Sequence, residues 1–225
     1  MIKMKPVVLN TGSRNETYEG MTVLHKPLIK ICALPLDETI RAQYDWLIFT
    51  SKNAVTLFFE MYPDVKYKQV AAIGTKTKEA LADMNINVDY VPSRFQQEYF
   101  LEDMDTRFED KTVCLPVSKK ARPLMFETLK NIATVDKIEL YEPQPYLDNV
   151  MCVHQMIQSG DINWILFLSP SSVQAYFQHY TLSEDVRVMA IGQVTSETLQ
   201  KYNVPHAISE KETLFAMYET IKKLD

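Results

Sequence analysis

Slid along itself by 118 residues, the chain matches itself without a gap over two long stretches. "DWLIFTSKNAV" (Asp45 to Val55) falls on "NWILFLSPSSV" (Asn163 to Val173), and "VAAIGTKTKEAL" (Val70 to Leu81) falls on "VMAIGQVTSETL" (Val188 to Leu199). Trp46, Phe49, Ser51, Val55, Phe59, Ile73, Gly74, Thr77 and Leu81 all meet identical residues. A gap-free match of this length reads as an internal duplication, so whatever one copy builds the other builds again. Upstream the repeat continues at a different offset, where "KPVVL" (Lys5 to Leu9) resembles "KTVCL" (Lys111 to Leu115). A polar connector and an extended segment follow each: "PLIKICALP" in the first copy, "IELYEPQPY" in the second.

The units of the repeat are strands and helices in alternation. Leu47–Phe49, Val70–Ile73, Val88–Val91 and Val113–Leu115 are short apolar runs, of the kind buried on both faces of a parallel sheet. Helical patterns of roughly 10–15 residues separate them, as βαβ units require. The fold class is therefore α/β: two similar parallel-sheet domains, each from one round of the duplication or from an exchange between the two. A chain of 225 residues is long enough for both.

In each copy an apolar strand runs into a polar lip and then an amphipathic helix. In the first copy Val55, Phe58, Phe59 and Tyr62 share one helix face; in the second, Val173, Tyr176, Phe177 and Tyr180 do. The lips are Thr50-Ser51-Lys52-Asn53 and Ser169-Pro170-Ser171-Ser172. Ser51 and Ser169 are good N-caps, and Pro170 suits the first helical position. A second turn of form Ile-Gly-x-x-Thr follows in both copies, with Gly74, Thr75 and Thr77 in one and Gly192 and Thr195 in the other. Ligands of parallel sheets bind beyond the carboxyl ends of the strands, which is where these turns fall. Free helix N-termini offer N–H groups and partial positive charge to carboxylates or phosphates. One such turn is an ordinary helix cap. Two turns in each of two copies point to a ligand. Glycine at a strand end also lets a ligand approach the backbone closely, and only five glycines are present.

Several function classes lack their signatures. The net charge of −5 argues against a general nucleic-acid binder. No apolar run is long enough to span a membrane. "MIKMKPVVLN" is basic but has no long apolar core, so no signal peptide is expected. Cys32, Cys114 and Cys152 lie far apart and read as reduced thiols, which points to the cytoplasm. The four histidines show no metal-ligand spacing, and no metal or cofactor is expected. There is no GxGxxG, no P-loop and no G-x-S-x-G. The lips offer hydroxyls, amides and a scatter of cations (Lys52, Lys76, Arg94, Lys119, Lys120 and Arg122), a set that suits a polycarboxylate better than a nucleotide.

"FTSKNAV", "AAIGTKTKEAL", "VDYVPSRFQQEYFL", "KIELYEPQP", "LFLSPSSV" and "AIGQVTSETL", taken in order, resemble the uroporphyrinogen-III synthase family. The resemblance covers most of residues 25–215. It implies two α/β domains joined by a two-stranded extended linker, with the active site in the cleft between them. It also implies that the N-terminal strand joins the C-terminal half. One domain would then comprise residues 1–30 with 149–225 and the other 37–137, with 28–36 and 138–147 as linker strands. The implied substrate is hydroxymethylbilane, a linear tetrapyrrole with eight carboxylates. Loss of its hydroxyl gives an azafulvene; ring D is attacked at its substituted carbon, passes through a spiro intermediate and closes reversed. Water alone slowly gives the unreversed isomer, so catalysis would be mainly positioning. Tyr141, in "ELYEP", matches the family's tyrosine facing the cleft and would act as a general acid on the departing hydroxyl. The resemblance thus implies a monomeric cytoplasmic enzyme that binds neither nucleic acid nor membrane; a transient contact with the preceding pathway enzyme is compatible with it. The rival reading is a non-catalytic two-lobed binding or sensor protein.

Overall fold

The computed structural model describes residues 5–92, 94, 97–102, 106–183 and 185–224. It divides into two compact units: Met1–Lys30 with Gln144–Asp225, and Ile31–Pro143.

The first unit has a five-stranded sheet in the order β10-β9-β8-β1-β2. Its strands are β1 (Val7–Asn10), β2 (Thr22–His25), β8 (Trp164–Phe167), β9 (Arg187–Ala190) and β10 (Ala207–Ile208). Every neighbouring pair is parallel, with β1 seated on β8 through Val8 and Trp164. Side chains alternate between two buried faces. Leu9, Ile165 and Phe167 enter one core with α6 (Pro170–Phe177) and α5 (Leu147–Gln158). Val8, Trp164 and Leu166 enter another with α8 (Leu214–Leu224). Numbered within this unit the order is 2-1-3-4-5, a doubly wound arrangement whose crevice opens where the winding reverses, between β1 and β8.

The second unit has the sheet β3-β7-β6-β4-β5, built from β3 (Ile29–Ala33), β4 (Gln43–Phe49), β5 (Lys66–Ala72), β6 (Thr112–Ser118) and β7 (Thr134–Pro145). The pairs β4–β5, β4–β6 and β6–β7 are parallel. At the edge, Leu34 N–H donates to Leu140 C=O and Tyr146 N–H donates to Leu28 C=O. Moving forward along one of these segments moves backward along the other, so they run antiparallel. Alternation again serves two faces. Leu47 and Phe49 pack with Val55 and Phe58 of α1 (Lys52–Met61). Trp46 and Ile48 pack with Phe100, Phe108 and Leu129.

Residues 88–91, expected as a strand, form only a single bridge from Tyr90 to Ala71. The reason is local. The Asp89 carboxylate accepts the Val70 N–H at 2.8 Å, taking a donor that a longer ladder would use. Pro92 then closes the segment.

At the start of the second sheet Asp45 ties three strands together. Its carboxylate accepts from Lys68 Nζ at 2.7 Å and from the N–H and hydroxyl of Thr112, each at 2.9 Å. Lys68 first, then the Thr112 N–H and hydroxyl, hold its carboxyl well below the usual carboxylate range. A depressed folded-state value contributes stability above the unfolded value of about 3.9, lost as the pH falls toward the folded one. Because the pair with Lys68 is partly exposed, Asp45→Asn should cost only about 1 kcal/mol at neutral pH. The gap between the wild-type and variant melting temperatures should shrink as the pH drops below about 4. A gap that is constant down to pH 2 would refute this account.

Candidate functional site

Both sheets carry their polar turns at the carboxyl ends of parallel strands. In the second unit β4 ends at Phe49, and Ser51 takes an extended conformation (φ −154°, ψ 151°) before α1. Its hydroxyl accepts the Ala54 N–H at 3.2 Å, so it is a true N-cap. The amides of Lys52 and Asn53 open the helix and have no intrahelical acceptor. One strand over, β5 leads through Gly74 into α2 (Thr75–Asp83). Gly74 has φ +97° and ψ 149°, which side-chain-bearing residues avoid, and the space where a Cβ would stand is empty. Thr77 is buried beneath this turn and donates its N–H to Gly74 C=O at 3.2 Å.

The first unit repeats the plan with different details. Ser169, extended at φ −164°, caps α6 by accepting the Ser172 N–H at 3.2 Å, and Pro170 begins the helix. Three hydroxyls gather here: Ser171 Oγ lies 3.0 Å and Ser172 Oγ 3.3 Å from Ser169 Oγ. Gly192 precedes α7 (Gln193–Lys201), and Thr195 is buried below it. Gly192 is extended at φ −171°, so its backbone does not demand glycine. Instead a Cβ there would stand 2.8 Å from the Glu212 carboxylate carbon. The group that approaches this glycine is therefore a side chain of the protein itself. Equivalent glycines of the repeat serve different physical needs.

The cation set does not act as a set. The Arg122 guanidinium grips Glu98 at 2.7 and 3.4 Å and holds that carboxyl below its ordinary value. Arg94 lies 4.6 Å over the Tyr99 ring and donates to its hydroxyl at 2.8 Å. Lys119 and Lys120 face Glu142 at 4.0 and 3.7 Å. Lys52 and Lys76 are exposed and form no ion pair among the described residues. They are what remains to place positive charge at the lips of this unit.

Tyr141 reaches the first of those lips through an irregularity. Val117 of β6 pairs with Glu139, but the next residue, Ser118, pairs with Tyr141, so Leu140 is extra. An inserted residue breaks the alternation of faces. Ile138, Leu140 and Tyr141 consequently all enter the core that holds Val55 and Phe58 of α1. There the phenol oxygen of the buried Tyr141 lies 2.9 Å from Ser51 Oγ.

One polar turn escaped sequence reasoning. Where β1 ends, Asn10 and Thr11 are buried at the crevice position of the first sheet. Asn10 Oδ1 accepts the Gly12 N–H at 2.9 Å, and Thr11 Oγ1 donates to Leu166 C=O at 2.6 Å. The signal was present in "VVLNTG", an apolar strand ending in polar residues and glycine.

The family described as uroporphyrinogen-III synthase HemD matches residues 16–219. The chain belongs to the uroporphyrinogen-III synthase family. Its matched span contains all four strand-end turns of the repeat and Tyr141, but not β1. Among curated relatives of this family member, the porphyrin biosynthesis protein HemD of Ruminiclostridium josui is 22% identical over 91% of the chain. The chain spans 44% of that protein's length. The uroporphyrinogen-III synthase of Synechococcus elongatus is 27% identical, over 81% of this chain and 78% of its own. The same fold is found in the crystal structure of uroporphyrinogen-III synthetase from Helicobacter pylori, with a TM-score of 0.71 at 21% identity. That likeness covers 99% of this chain and 100% of the other. A mutant uroporphyrinogen III synthase from Thermus thermophilus gives a TM-score of 0.57 at 18% identity, covering 97% and 98% of the two chains.

Proposed function

We propose that this chain cyclises hydroxymethylbilane to uroporphyrinogen III, with loss of water and inversion of ring D. The observation that carries this reading is the family match across residues 16–219. Repeated helix-start lips at the ends of parallel strands support it, because they suit a ligand with many carboxylates. In the second unit Thr50, Lys52, Asn53, Gly74, Thr75 and Thr77 form the proposed binding set, with Ser51 capping the helix at their lip. In the first, Ser169, Ser171, Ser172, Gly192 and Thr195 do. These groups hold the flexible chain in the one geometry that closes reversed, and that positioning is most of the catalysis. The pyrrole nitrogen expels the hydroxyl, and Tyr141 supplies the proton that lets it leave as water. Among the described residues no helix is long and apolar enough to cross a membrane. We place the enzyme in the cytoplasm, in keeping with its free cysteines.

Freshly prepared hydroxymethylbilane, with products resolved by chromatography, tests the reading. The reversed isomer should dominate and appear faster than the spontaneous product. Tight binding of the linear tetrapyrrole with only the unreversed isomer formed would instead favour a non-catalytic binding protein. The two buried threonines give a finer test. Thr77→Ala and Thr195→Ala should each weaken binding of a product analogue about ten- to hundredfold, the worth of a lost hydrogen bond to a carboxylate. Unchanged binding with melting points many degrees lower would make them helix packing only.

A further inference from the structure

We propose that Ser51 is the positioning residue of Tyr141, rather than a holder of substrate carboxylate. The inference rests on the reading that Tyr141 gives its proton to the departing hydroxyl. Ser51 Oγ sits between two partners, accepting the Ala54 N–H at 3.2 Å and lying 2.9 Å from the phenol oxygen of Tyr141. The amide takes one of the two lone pairs of the serine oxygen, and the serine hydrogen is still there to give. Donated to the phenol oxygen, it leaves the phenolic hydrogen free for substrate. It also supports the phenolate that remains once that hydrogen has moved. The amide bond polarises the serine hydroxyl, and the positive end of α1 acts in the same direction.

Two further observations separate this arrangement from an ordinary cap. The register shift at Leu140 turns Tyr141 onto the α1 face, which regular alternation would deny it. And the equivalent serine of the repeat behaves differently, because Ser169 gathers Ser171 and Ser172 of its own helix. The duplicated lips are thus unequal: the Ser51 lip prepares an acid, and the Ser169 lip presents hydroxyls.

Ser51→Asp, Ser51→Thr, Tyr141→Phe and the double variant Ser51→Asp/Tyr141→Phe, compared in the full chain, test the proposal. Aspartate caps a helix as well as serine does but, ionised, has no hydrogen to donate. Ser51→Asp should therefore melt like wild type yet lose roughly tenfold in kcat, the worth of one hydrogen bond in the transition state. Ser51→Thr, which keeps the donor and the cap, should recover most of that loss. In the Tyr141→Phe background Ser51→Asp should lower kcat no further. Ser51→Asp with wild-type kcat, beside a slowed Tyr141→Phe, overturns this inference alone. A loss that persists undiminished in the Tyr141→Phe background also overturns it, since Ser51 would then act on substrate directly. If Tyr141→Phe itself has wild-type kcat, the parent reading of Tyr141 fails and this inference fails with it.

Discussion

Tyr141→Phe is expected to lower kcat by up to about a hundredfold while the product stays the reversed isomer. A positioned general acid typically contributes ~10²–10⁴-fold. The hydroxyl of hydroxymethylbilane also departs without any enzyme, so the pyrrole nitrogen already assists it and the loss falls at or below the low end. Phenylalanine keeps the ring in the core shared with Val55 and Phe58 and removes only the bond to Ser51. Stability should change by about 1 kcal/mol or less. On the proposed reading, isomer choice belongs to the conformation of the bound chain and not to the acid. Wild-type turnover would remove the acid role. A switch to the unreversed isomer would make Tyr141 a shaping residue and refute this division of labour.

The largest effect on stability is expected from Phe58→Ala, about 3–5 kcal/mol, the usual cost of emptying a buried aromatic site. Phe58 is fully buried and meets Phe49, Phe59 and Tyr62 at ring-centroid distances of 5.6, 5.4 and 5.6 Å. With Ala54 and Val55 it fastens α1, and with it Ser51, to the sheet, and it is the largest of the three. Denaturant unfolding should show a lowered midpoint. Phe59→Ala, at a half-buried position on the same face, should cost distinctly less. Equal losses at the two positions would mean that α1 is not anchored through Phe58.

The parts of the site legible in the sequence were those written in local signals. Ser51 and Ser169 are caps because of what a short hydroxyl does for the N–H groups two and three residues on. Pro170 starts a helix because its ring fixes φ. Where a side chain found a partner far along the chain, the sequence was silent. Arg122 grips Glu98, and Lys119 and Lys120 face Glu142, so cations read as free for a ligand are engaged within the protein. Val88–Val91 looked like a strand because apolar alternation is blind to a carboxylate competing for the ladder, as Asp89 does. The identity of Gly74 and Gly192 was readable, but not that one answers to its backbone and the other to Glu212.

By itself, the sequence determined that strand, lip and helix would be built twice, because apolar period and capping chemistry are properties of neighbouring residues and recur wherever those residues recur. It left open which strands lie side by side. Tertiary structure decided that β1 seats on β8 and β6 on β4, each unit taking two of its strands, β1 and β2 or β6 and β7, from the other round of the repeat. Both pairings satisfy the same apolar pattern, and only the packing of the whole chain distinguishes them. Tertiary structure also decided that Tyr141 meets Ser51, while Ser169 keeps to the serines of its own helix. That contact depends on a register shift between β6 and β7, and register exists only between paired strands.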